Sequence, residues 1–276
     1  MKTRPLNGKL YQTIRRAIGY IIRYKKFVMI GLVGGLGPYA GLDIAKKIID
    51  ETVAGSDQEH LPLLLFSCPN LIPDRSAYLL DRSKENPGKA IALILKQLEQ
   101  AGATIAAIPS NTAHAEPIFS VIQDEMARLG TELKLLHIVH EAVRFIQENY
   151  PDSTIGVLST AGEQAYSQYR EAFMKKGFPI VEPEGTQKEK VNNAIYDKDY
   201  GIKAQPAPIA NKAREDLLLA MDDLKKQGAQ AIILGCAELP LAIPEKDHNG
   251  MVVIDPNRIL ARALIQAVAP DKLKAL

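Results

Sequence analysis

Tryptophan is absent from the 276-residue sequence, and only two cysteines occur, Cys68 and Cys236. Two thiols cannot build a disulfide framework or a multi-cysteine zinc site, so a reducing, cytoplasmic setting fits best. No apolar run approaches the roughly 20 residues that span a bilayer, which argues against a membrane-embedded protein. Acidic residues are missing before Met29, where Lys2, Arg4, Lys9, Arg15, Arg16, Arg23, Lys25 and Lys26 stand without a counter-charge. Setting those eight aside from a net charge of +2 leaves 26 basic against 32 acidic residues. An acidic body makes nucleic-acid binding by the main fold improbable. The basic extension over residues 1–28 reads as a presequence, a membrane-surface or nucleic-acid arm, or a dispensable tail upstream of Met29. It has no Ser and no small-residue cleavage site, which speaks against a presequence.

What the chain does have is alternation. Apolar content of 46% and charged content of 24% suit a soluble globular protein with a real core. The short runs "LPLLLFS", "ATIAAIP", "LKLLHIV", "STIGVLST", "QAIILG" and "GMVVID" read as buried strands. Between them, "GLDIAKKIIDETVAG", "GKAIALILKQLEQAG", "EPIFSVIQDEMARLG", "IVHEAVRFIQENY", "AYSQYREAFMKKG" and "REDLLLAMDDLKKQG" read as amphipathic helices. Strands alternating with helices imply parallel sheets covered on both faces, with sites beyond the strands' carboxyl ends.

The alternation repeats. "LEQAGATIAAIPSNT" (98–112) aligns with "LKKQGAQAIILGCAE" (224–238) at a shift of 126, and "IGLVGGLG" (30–37) aligns with "IGVLSTAG" (155–162) at a shift of 125. Two segments sharing nearly one offset imply two related α/β lobes. We read the extension as 1–28, the first lobe as 29–137 plus 255–276, and the second as 138–254. The repeat pairs Ser110 with Cys236, so a pseudo-twofold axis would set a hydroxyl and a thiol across one cleft.

Each candidate residue also has a bland reading. Cys236, in "ILGCAELP", follows a buried strand and a Gly, where backbone N–H groups could stabilise a thiolate; otherwise it is an inert buried thiol. Glu238 beside it favours function, whereas Cys68 in "FSCPN" reads as structural. In "SNTAH", Asn111 and Thr112 suit a carboxylate or amine, although such a turn also caps a helix. His114 reads as a base, or as a solvent-facing or supporting residue. His137 and His140 have no third partner for a metal. "GGLGPYA" has the G-x-G-x-x-A spacing of a dinucleotide turn, but Pro38 removes an N–H that a pyrophosphate would use. Arg75 in "IPDRSAY" suits bidentate carboxylate recognition, the alternative being a salt bridge to Asp74 or Asp81.

In this order, "GLVGGLGP", "IPDR", "IPSNTAHA", "AIYDKDYGIKA" and "GCAELP" resemble the cofactor-independent aspartate/glutamate racemase superfamily, its aspartate racemase branch especially, over about residues 29–265. The resemblance implies two pseudo-symmetric lobes with the active site between them, neither metal nor pyridoxal phosphate, a dicarboxylic amino-acid substrate and a homodimer. It also implies two opposed cysteines that exchange the α-proton on opposite faces. By position, Cys236 is the second of these, and Ser110 stands in the place of the first. Arg75 matches the arginine that holds a substrate carboxylate, and Lys203 matches the substrate-contacting lysine, with Lys198 as its rival. Asn111, Thr112, Ser159 and Thr160 fall in the carboxylate-binding turns, and Ala237 stands where many relatives have Thr. A serine hydroxyl is far less acidic than a thiol and acts as a base only with help. Ser110 therefore implies a natural variant, an engineered substitution, or a chain that has left racemisation for one-cysteine decarboxylation or for amino-acid binding alone.

Overall fold

The computed structural model describes residues 28–159 and 163–276, without the side chains of 163–167. The basic extension up to residue 27 and the turn residue Thr160 lie outside the described residues.

The chain builds two sheets to one plan. In the first, β1 (Met29–Gly34), β2 (Leu63–Ser67), β3 (Ala103–Ala107) and β4 (Lys134–Leu136) are parallel, in the order β2-β1-β3-β4. The second contains β5 (Ile155–Leu158), β6 (Ile180–Val181), β7 (Ala231–Leu234), β8 (Asp247–His248) and β9 (Met251–Ile254). Its parallel part repeats the first order as β6-β5-β7-β9, and β8 adds an antiparallel edge. Buried on both sides, β5 and β7 are apolar throughout, as central parallel strands must be.

Four helices fill the space between the sheets: α1 (Pro38–Glu51) and, further along the chain, Ile138–Asn149, Glu163–Met174 and Pro256–Val268. In chain order the helices after α1 are α2 (Arg75–Leu80), α3 (Gly88–Gln100), α4 (Glu116–Arg128), α5 (Ile138–Asn149), α6 (Glu163–Met174), α7 (Gly185–Tyr196), α8 (Asn211–Lys226), α9 (Leu239–Ala242) and α10 (Pro256–Val268). One apolar core therefore runs through both lobes, from Ile30, Ile44 and Ile105 through Val139, Tyr169 and Leu260 to Val157 and Ile233. The outer faces have separate cores, with Ile91, Leu95 and Ile118 beneath the first sheet and Leu217, Met221 and Val191 beneath the second. The final helix α10 packs against α1 and α5.

The repeat is a repeat of contacts. A Cβ added to Gly31 would lie 3.0 Å from Ala103 Cβ and 3.3 Å from Leu98 Cδ1. At the matching Gly156 it would lie 3.2 Å from Ala229 Cβ and 3.2 Å from Leu224 Cδ1. Each lobe thus uses a glycine in its first strand to bring the same alanine and leucine close. Gly102 and Gly228 end the matching helices with φ of +106° and +95°, a backbone region that disfavours side chains.

The polar stretch after β6 holds a helix that apolar periodicity did not announce. In α7 only Val191, Ala194 and Ile195 are buried, and the rest of the helix is solvated. The loop following it returns Lys203 toward the first lobe.

Candidate active site between the lobes

Strand ends from both lobes meet in one small cavity lined by Leu36, Arg75, Ser110, Asn111, Thr112, Tyr196, Lys203, Gly235, Cys236, Ala237 and Glu238. It encloses about 20 Å³ of water-accessible space, room for about one water molecule. Wider depressions of about 440, 770 and 530 Å³ lie elsewhere, and none brings Ser110 together with Cys236.

The first lobe contributes two turns and a helix start. Asp74 caps α2 by accepting the Ala77 N–H at 2.7 Å, which sets Arg75 at the first helical position. Arg75 forms no salt bridge with Asp74 or Asp81; its Nη2 donates to the Leu36 carbonyl at 3.0 Å. Its buried Nε has no partner. After β3 the chain turns at Ser110, whose Oγ accepts from the Ala113 N–H at 3.4 Å. Asn111 Oδ1 accepts from the Tyr169 hydroxyl at 2.7 Å, which leaves the buried Asn111 Nδ2 unpaired. Arg75 and Asn111, which carry these unpartnered donors, both line the cavity and suit an oxygen-bearing ligand such as a carboxylate, since an unmade buried hydrogen bond costs about 1–3 kcal/mol.

The second lobe brings the charged groups. Cys236 is buried in the turn between β7 and α9, and its thiol donates to Glu238 Oε2 at 3.2 Å. Glu238 Oε1 pairs with the Lys203 ammonium. Burial alone would raise the Glu238 carboxyl, but Lys203, the thiol and the more distant Arg75 hold it below its ordinary range. Burial disfavours the Lys203 charge, and the Glu238 carboxylate outweighs that and raises it. Burial and then the Glu238 charge push the Cys236 thiol up to about 12, against the pull of Lys203. The expectation of a thiolate stabilised by the turn is corrected here. The resting group is a thiol, because desolvation and a neighbouring anion exceed what a turn dipole supplies.

Several other expected roles change. Lys203 lines the cavity and lies 5.6 Å from the centre of the Tyr196 ring, whereas Lys198 is exposed and outside the lining. Ser159 is fully buried behind the turn, its Cβ 2.9 Å from where a Gly235 Cβ would be, and it does not line the cavity. His114 also lies behind: its Nδ1 donates to the Ser110 carbonyl at 2.8 Å, and its ring stacks on Phe119 and meets His137 edge-on. Burial pushes His114 down to about 4, which makes it a neutral brace for the Ser110 turn. The dinucleotide-like turn is also engaged within the protein. Gly35, with φ of +89°, sits over the Cys68–Pro69 backbone, and a Cβ on Gly37 would be 3.1 Å from Glu238 Oε1. Cys68 is half-buried against the outer core of the first lobe. Among the described residues, no group of three His, Cys, Asp or Glu side chains is arranged to hold a metal ion, and no helix is long and apolar enough to cross a membrane.

Tyr196 and Tyr169 were not singled out from sequence. Tyr196 lay inside the quoted "AIYDKDYGIKA", but an aromatic flanking polar residues has no distinguishing pattern. Tyr169 stood at a core position of an amphipathic helix, where only its hydroxyl hinted at a polar task.

Two α/β lobes of one plan, with a strand-end cavity between them lined by both a thiol and a hydroxyl, define a two-lobed α/β protein with a candidate site between its lobes. The family follows from comparison. The family model described as Asp/Glu/Hydantoin racemase matches residues 33–264, and the chain belongs to that family of amino-acid racemases. The chain is 24% identical over 243 residues to the broad specificity amino-acid racemase RacX of Bacillus subtilis (strain 168), covering 86% of this chain and 96% of that protein. Among solved structures it is similar to an aspartate racemase from Picrophilus torridus, with a TM-score of 0.74 and 24% identity over 90% of this chain and 96% of that one. An aspartate racemase homologue from Pyrococcus horikoshii OT3 has a TM-score of 0.66 and 24% identity, covering 87% of this chain and 99% of that one.

Proposed function

We propose that the chain racemises a small dicarboxylic amino acid, aspartate first and glutamate second, without a cofactor, through acid–base groups at Cys236 and Ser110. The observation that carries this reading is the pair of unpartnered buried donors, Arg75 Nε and Asn111 Nδ2, in the same cavity as the Cys236 thiol. One substrate carboxylate fills those donors with help from Thr112, and the other takes Lys203. A homodimer is the expected assembly. The likeness to an aspartate racemase structure supports the choice of aspartate.

The cavity is too small for the substrate as it stands, so binding requires Glu238 to yield Lys203 or the lobes to part. A carboxylate arriving at Lys203 releases Glu238 to accept the Cys236 proton. The thiolate then removes the α-proton from its face, and the carbanion takes a proton from the opposite face. Ser110 occupies that opposite position. A hydroxyl is a weaker acid than a thiol, so this half of the reaction is slow or relayed through another group.

The test is incubation in heavy water with L-aspartate and, separately, D-aspartate, following α-proton loss by NMR and configuration by chiral chromatography. Exchange with inversion from both enantiomers, faster in Ser110→Cys and abolished in Cys236→Ser, is the expected result. No exchange of aspartate or glutamate, with Ser110→Cys equally inert, refutes it. Saturable binding that survives Cys236→Ser without exchange would instead identify a binding protein.

A further inference from the structure

The two turns that carry Ser110 and Cys236 are each held from the other lobe. In the first lobe, the residue after Ser110 is Asn111, and its side chain accepts from Tyr169 of α6 at 2.7 Å. In the second lobe, the residue after Cys236 is Ala237, whose carbonyl accepts from Asn257 Nδ2 at 3.1 Å. That same Nδ2 donates to Asp43 Oδ2 of α1 at 3.0 Å. Asn111 and Ala237 are equivalent under the 126-residue shift of the later turns, and Asp43 and Tyr169 lie one residue from equivalence under the 125-residue shift of the first strands and the helices after them. The helix after each lobe's first strand therefore reaches the equivalent point on the opposite turn, directly in one case and through Asn257 in the other.

These contacts are built to last. Tyr169 and Asn257 are 0% and 1% exposed, respectively. Two oxygens, one carbonyl and one carboxylate, converge on the Asn257 Nδ2, so only an amide turned with its NH2 outward satisfies them. Asp43 is itself fixed by Lys47 at 2.5 Å, which also pairs with Asp255 at 2.5 Å. Asp255 in turn caps α10 by accepting the Asn257 and Arg258 N–H groups at 2.9 and 3.2 Å. Tyr169 anchors its ring in the shared core beside Phe173, so its hydroxyl has little freedom to leave Asn111.

We propose that Tyr169 and Asn257 are cross-lobe positioning residues, one for each catalytic turn, tying the geometry of each turn to the seating of the opposite lobe. Their tasks differ because the turns differ. Tyr169 orients the Asn111 amide so that its NH2 faces the cavity, which concerns substrate binding. Asn257 holds the backbone beside Cys236, which concerns proton transfer. The turnover part of this inference rests on the racemase reading above.

The experiment pairs aspartate kinetics with alkylation of Cys236 by iodoacetamide at pH 8, read by mass spectrometry with Cys68 as the internal control. For Tyr169→Phe, KM rises about tenfold, kcat changes less, and Cys236 alkylation stays within about twofold of wild type. For Asn257→Ala, kcat falls about tenfold or more with little change in KM, as expected when a reacting group shifts by a fraction of an ångström. In that variant Cys236 alkylation accelerates severalfold as water reaches the turn, while Cys68 reacts as before. The volume-conserving double variant Asp43→Asn with Asn257→Asp restores a donor–acceptor pair between the lobes but leaves the Ala237 carbonyl without a donor. It is expected to be as slow as Asn257→Ala. The proposal is overturned if both single variants move the same parameters, if Asn257→Ala leaves Cys236 alkylation unchanged, or if the exchanged pair restores wild-type turnover. If wild-type protein exchanges no α-proton, the racemase reading fails, and the alkylation arm alone decides whether Asn257 holds the Cys236 turn.

Discussion

Replacing Glu238 by Gln removes a buried charge from beside the candidate acid–base thiol while keeping the size of the side chain. In the wild-type site the thiol donates to Glu238 Oε2 at 3.2 Å. Forming a thiolate there places two anions side by side, a repulsion of roughly 5 kcal/mol at an effective dielectric of about 20. Burial is the largest cause of the rise of the thiol to about 12, the Glu238 charge comes second, and Lys203 opposes both. The part that Glu238 removal returns is therefore smaller, about 1–3 kcal/mol, or roughly tenfold to a hundredfold more thiolate at a given pH. Alkylation of Cys236 by iodoacetamide should accelerate by that factor at pH 8. In wild type its rate should climb about tenfold per pH unit up to pH 10 with no plateau, because only the thiolate reacts. Turnover of aspartate should move the other way, falling at least about tenfold, since the group that accepts the thiol proton is gone. Unchanged or slower alkylation would refute the electrostatic argument. Faster alkylation with undiminished turnover would refute the assignment of Glu238 as the acceptor of the thiol proton.

Arg75→Lys should raise KM for aspartate by about tenfold to a hundredfold, because a lysine cannot keep the Leu36 carbonyl and also offer a second directed N–H to the ligand; steady-state kinetics with an unchanged KM would contradict this. The pH dependence of folding provides a further check. Burial depresses His114 to about 4 and His137, with its histidine neighbours, to about 2. Both are neutral in the folded chain but would charge near pH 6.5 when unfolded, so stability is full above about pH 6.5 and falls as pH drops toward 4, by up to about 3 kcal/mol for His114. Urea unfolding in that window should show the slope, and His114→Gln should reduce it to the part His137 contributes; a variant with the wild-type slope would mean that His114 is not buried neutral.

Much of the fold was legible because its physics is local and repetitive. Buried parallel strands have to be apolar along their length, so "ATIAAIP" and "QAIILG" announced themselves, and the shared offset of Gly31, Ala103 and Leu98 with Gly156, Ala229 and Leu224 exposed the second lobe. The pairing of Ser110 with Cys236 followed from that offset alone, and the cavity between the lobes brings the two together. Arg75 could be singled out because a guanidinium suits bidentate carboxylate recognition, and it lines the cavity.

Other features had no sequence signature because they depend on which segments meet. The choice of Lys203 over Lys198 depended on how the loop after α7 folds back, and five residues of spacing could not decide it. Ser159 and His114 had the right chemistry but came to lie buried behind the turns, where His114 holds the Ser110 carbonyl. The ionisation of Cys236 reversed, since a thiol's acidity depends on its burial and on a carboxylate 3.2 Å away. Tyr169 and Asn257 read as an amphipathic-helix tyrosine and a helix-start asparagine. Only the seating of one lobe against the other set their polar atoms on the turns that carry Ser110 and Cys236. Periodicity and internal repetition thus determined the strands, the helices and the doubled plan, because those follow from the burial of neighbouring residues. Protonation states and cross-lobe partners were left to the tertiary structure, because desolvation and hydrogen bonding depend on atoms far away in the chain.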